Sequence, residues 1–128
     1  MALLIAAWIA IIGFALLAVF QLALALGAPI GHLAWGGQHK QLPASLRWAS
    51  LGIVVLLVFA GLCVAEHGGI VAVFGAPQLT RLVVWGLTVL FGLSTLANLA
   101  SKSAKERRLG VPLALSLTIA CLMVALMA

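Results

Sequence analysis

The sequence predicts an all-α integral membrane protein, a bundle of four transmembrane helices. Three observations predict it. Of the 128 residues, 66% are hydrophobic and 7% charged, whereas a soluble domain carries roughly 45–50% apolar and about 25% charged residues. Four apolar runs each approach the ~20 residues that a helix needs to cross a bilayer. Turn-forming Gly-Ala-Pro, Pro and Gly-Val-Pro segments stand at the boundaries of these runs. Inside lipid every backbone N–H and C=O must be paired within the protein, which leaves helices or a closed barrel. The runs lack the in/out alternation of barrel strands, so helices are the solution. The chain is read as one domain, residues 1–128.

The first run extends from Leu3 to Leu26, with Gln21 as its one strongly polar side chain, and Gly27-Ala28-Pro29 closes it. It lacks a basic leading segment and exceeds the roughly 7–15 apolar residues of a signal peptide, so a retained span is expected. The second run, Leu46–Ala65, follows Pro43, and the third, Leu82–Ala100, follows Gly75-Ala76-Pro77. The fourth covers Val111–Met127. Gly110 and Pro112 are expected to open it, because proline in a first helical turn lacks only an N–H that would be unpaired anyway. Ser103 and Glu106 have capping-box spacing, which predicts a short helical turn inside the third connection.

Orientation follows from the basic residues. Lys40 and Arg47 flank the first connection, Lys102, Lys105, Arg107 and Arg108 fill the third, and Arg81 alone borders the second. Connections one and three share a side in a four-span chain, so six of the seven basic residues lie on one face. The positive-inside rule makes that face cytoplasmic and sends both termini outward. Trp8 and Trp85 then fall toward the outer boundary and Trp35 and Trp48 toward the inner one, as an aromatic belt requires. Glu66 and Arg81 border the same outer connection and are expected to pair there, at a gain of about 0–1 kcal/mol. The net charge of +5 is accounted for by topology, and without a soluble basic domain no nucleic-acid partner is expected.

Gln21–Pro43, QLALALGAPIGHLAWGGQHKQLP, resembles a stretch of small uncharacterised bacterial four-span proteins. Asn98–Pro112, NLASKSAKERRLGVP, is similar to their second signature, Asn-x-x-Ser-x-Ser followed by Glu-Arg and proline; the two stretches make up about a third of the chain. His32 stands where those proteins often have an acidic or aromatic residue. The resemblance implies the four-span fold, its topology and a bacterial inner (plasma) membrane location, and it carries no activity with it.

The first connection is the candidate ligand site. Gly27, Gly31, Gly36 and Gly37 stand with His32, Trp35, His39 and Lys40 just ahead of a helix N-terminus. Glycine lets backbone amides approach a ligand, and amides beside a helix N-terminus favour an anion. Gly36, Gly37, Lys40 and Arg47 are therefore the expected ligand-binding residues, for a lipid phosphate or an anionic metabolite. The segment does not match the phosphate loop GxxxxGK[ST] or a dinucleotide fingerprint, and the competing reading is a tight interfacial turn. Ser94, Thr95 and Asn98 lie on neighbouring positions of the third run and are expected to pack and hydrogen-bond between helices.

Chemistry is not indicated. Cys63, Glu66 and His67 share a helix face by their i, i+3, i+4 spacing, but His32 and His39 fall on the other side of the membrane, so no metal set is expected. Cys63 and Cys121 read as small buried hydrophobes. There is no Ser/His/Asp arrangement, CxxC pair or carboxylate pair, so neither an enzyme nor a cofactor is expected. What remains is a non-enzymatic membrane binding or assembly protein, a homo-oligomer or a subunit of a membrane complex, with membrane lipids as partners. The alternative is a small oligomeric transporter or channel. The size is similar to that of small multidrug-resistance transporters, but those place a glutamate in the middle of the first span, and this first span has none.

Overall fold

The computed structural model describes residues 1–29, 43–101 and 104–128, with Glu106 through its backbone alone. Four helices account for most of them: α1 Ala2–Ala25, α2 Ala44–His67, α3 Pro77–Leu99 and α4 Ala104–Met127. Each is long and apolar enough to cross a membrane. At 1.5 Å per residue they are about 35 Å long, slightly more than a hydrocarbon core of about 30 Å.

The ends follow from local sequence. Gly27, at φ 92°, ends α1: its own N–H bonds to Leu24 O and that of Ala28 to Ala23 O. Gly69, at φ 81°, ends α2 in the same way, with bonds to Glu66 O and from Ile70 to Ala65 O. Both are the left-handed stop that satisfies the last carbonyls of a helix. Pro77 occupies the first turn of α3, where its missing N–H costs nothing.

The start of α4 departs from expectation. The helix begins at Ala104, and Pro112 lies inside it rather than opening it. Hydropathy marks where a helix fits lipid, not where it starts. The segment AKERRL is made of good helix formers, so helix extends through the charged turns ahead of the apolar run. Ser103, the expected cap, lies outside the described residues.

The helices alternate in direction. α1 lies along α2 and α3 along α4, and α1–α4 and α2–α3 contacts close the ring. Arg47 at the start of α2 touches Ala25 at the end of α1, His67 at the end of α2 meets Thr80 at the start of α3, and Asn98 near the end of α3 meets Gly110 near the start of α4. The centre is built from Ala6, Ala7, Ala10, Phe14, Ala60, Val64, Phe91, Leu117 and Ala120. Phe14 stacks on Phe91 across the bundle, ring centroids 5.5 Å apart. Small side chains bring backbones together where lipid supplies no hydrophobic drive between helices. The outer surface is as apolar as the interior, with Ile12, Leu16, Val19, Leu82 and Leu93 all exposed.

Candidate functional site

One end of the bundle gathers the basic residues. Arg47, in the first turn of α2, donates from Nε to Ala25 O at 2.9 Å. Ala25 is the last residue of α1, where carbonyls lack intrahelical partners and the helix end is partially negative. Arg107 does the same for the second hairpin, donating from Nη1 to Ser101 O just beyond α3. Each arginine is the fourth residue of its helix, so both hairpins, α1–α2 and α3–α4, are clamped by one device. Lys105 and Arg108 are exposed beside Arg107. Trp48 is 73% exposed next to Arg47. A cleft of about 310 Å³ opens there, lined among the described residues by Ala25, Ala44, Arg47, Trp48 and Leu51. Of the four expected ligand-binding residues the structure places Arg47; Gly36, Gly37 and Lys40 lie outside the described residues, as do His32, Trp35 and His39.

Asn98 and Gly110 build the neighbouring corner. A Cβ on Gly110 would sit 2.6 Å from Asn98 Oδ1 and 2.7 Å from its Cγ, so the glycine makes room for the amide. The Asn98–Pro112 segment thereby forms a close-packed helical corner. Thr95 is buried, but its hydroxyl donates to Phe91 O of its own helix at 2.8 Å rather than to a neighbour. Thr88, Ser116 and Thr118 likewise bond back four residues, to Val84, Pro112 and Ala114. A β-hydroxyl reaches that carbonyl with no help from another helix, so among the described residues the Thr95 hydroxyl bonds within its own helix rather than across to a neighbour. Ser94 is half-buried between these positions.

The opposite end holds a second polar cluster. Glu66 Oε1 accepts the backbone N–H groups of Val73 at 2.6 Å, Phe74 at 2.7 Å and Gly75 at 3.1 Å. The connection after α2 therefore wraps around a carboxylate. This replaces the expected Glu66–Arg81 pair, and among the described residues no ion pair joins the two. Three converging amides hold a carboxylate better than one exposed, entropically costly arginine. His67 Nδ1 lies 3.2 Å from Thr80 Oγ1. Cys63, one turn earlier, is fully buried. Of the three residues that share a face, Glu66 and His67 thus turn to different partners and Cys63 is buried, and among the described residues no three His, Cys, Asp or Glu side chains form a ligand set. The role of Glu66 had one signal in the sequence, an isolated carboxylate followed by Gly68-Gly69 and then Gly75.

Across the whole bundle the buried polar side chains among the described residues are Ser50, Thr80, Thr95 and Ser101, and the Phe14–Phe91 stack occupies the middle. Gln21 Oε1 is buried with no partner among the described residues. No family model, curated protein or solved structure matches this chain.

Proposed function

We propose that the protein is a non-enzymatic membrane assembly and binding protein, working as a homo-oligomer or as a subunit of a membrane complex, with anionic lipid held at its basic end. The observation that carries this reading is the cleft beside Arg47. Its walls are apolar, its mouth has a guanidinium, and exposed Trp48 stands beside it. That pattern suits an amphiphile, with acyl chain against Leu51 and Trp48 and phosphate against Arg47. A centre built from buried apolar side chains, with Phe14 stacked on Phe91, supports assembly over conduction through a single chain. Self-association is favoured by the same alanines and glycines that let these helices approach closely, since packing must supply association in lipid.

The basic end faces the cytoplasm in this reading, and both termini face outward. A cysteine placed at Lys105 is expected to resist an impermeant thiol reagent added to intact cells and to react once the membrane is opened. Reaction from outside contradicts the orientation. For the ligand, Lys40→Gln leaves the four charges of the third connection, Lys102, Lys105, Arg107 and Arg108, to set topology, while Gly37→Val removes backbone freedom. Both variants are expected to retain less anionic lipid through purification than the parent. Unchanged retention in both makes the first connection a plain linker.

A further inference from the structure

The corner where α2 leads into α3 holds a histidine with one nitrogen committed and the other enclosed. Thr80 is 1% exposed, and its hydroxyl donates to Pro77 O at 3.1 Å. His67 Nδ1 is 3.2 Å from the same hydroxyl oxygen. A hydroxyl gives one proton and accepts through its lone pairs, so both contacts are made when Nδ1 carries the proton. Nε2 is then a bare lone pair, buried and without a partner among the described residues. A second proton, taken from solvent, would turn that lone pair into a charged N–H with no acceptor. An unmatched buried donor is far costlier when it is charged.

The surroundings do not offset this charge. On α3 the group acting on His67 is the Arg81 guanidinium, which has the same sign. On α2 the ionisable neighbours are Glu66 and Cys63. Glu66 Oε1 is taken by the amides of Val73, Phe74 and Gly75, and its Oε2 is buried but, among the described residues, not bonded to Nε2, since adjacent helical residues do not face each other; Cys63 is fully buried. α1 brings no ionisable side chain to this end of the bundle, and α4 brings only the thiol of Cys121, fully buried like that of Cys63.

We propose that His67 is a proton-sensitive clasp. Neutral, it ties the end of α2 to the start of α3 through Thr80. Protonated, it releases Thr80 and loosens the 68–76 connection wrapped around Glu66. The clasp stands on this corner alone and is independent of lipid binding at the basic end.

Hydrogen exchange in lipid nanodiscs tests it at about pH 8 and about pH 5, the window in which histidine changes charge. After correction for intrinsic exchange, the Val73, Phe74 and Gly75 amides are expected to lose protection about tenfold or more at the lower pH, since each tenfold is one 1.4 kcal/mol step. His67→Asn keeps a side-chain N–H donor for Thr80 and cannot gain a proton, so its protection is expected to hold within about twofold. Equal loss in the two proteins, or no loss in the wild type, overturns the proposal. Nitrogen NMR of the wild type provides a test that needs no variant. Protonated Nδ1 with bare Nε2 is expected at the higher pH, and the reverse tautomer overturns the clasp.

Discussion

Replacing Phe14 with alanine is expected to lower the stability of the folded bundle by about 3 kcal/mol, the low end of the range for core Phe→Ala changes. Phe14 is 2% exposed and stacks on Phe91 at 5.5 Å, tying α1 to α3 across the centre. The low end applies because, in a membrane, lipid tails solvate an apolar side chain about as well as a core does. What is lost is the stack, at about 0.5–1.5 kcal/mol, together with the contacts around the cavity left behind. Leu16→Ala is the control: Leu16 is 61% exposed, and a change of about 0.5 kcal/mol or less is expected. Reversible unfolding in mixed micelles measures both. Equal losses at the two positions contradict the central role of the aromatic pair.

Gly68→Val is expected to cost about 1–3 kcal/mol through overpacking. A Cβ at Gly68 would lie 2.9 Å from Ala7 Cβ and 3.2 Å from Val64 O. Neither atom is the loose end of a flexible side chain, so the beginning of α1 must move away from the end of α2. Backbone strain plays no part, since φ at Gly68 is −79°. Ala7→Gly removes the opposing methyl, and the double variant is expected to recover a substantial part of the loss, as contacting sites couple. Strict additivity of the two changes contradicts the contact.

Much of the fold was legible because lipid imposes a simple rule on a chain. A run such as Leu46–Ala65 has no way to pair its backbone in hydrocarbon except as helix, and Gly27 has the conformational freedom that ends one. The third connection was harder to read. Lys105, Arg107 and Arg108 lower hydropathy without opposing helix, so α4 starts at Ala104, ahead of its apolar run. The site was less legible than the fold. Arg47 has the charge expected of a ligand group, yet its Nε serves the end of α1, a contact 22 residues away that no local spacing reveals. Asn98 and Gly110 stand on either side of the third connection, and their contact depends on two helices meeting at one corner. Glu66 had an obvious charged partner in Arg81, but loop amides nearer in sequence reach it first.

Native mass spectrometry from a gentle detergent is the most direct test of assembly at a lipid-holding basic end, because it reads oligomer mass, partner subunits and retained lipid in one spectrum. The expected result is an assembly larger than one 13.2 kDa chain, carrying anionic lipid that Arg47→Gln sheds. A bare monomer at low detergent, with neither partner nor lipid attached, contradicts the account.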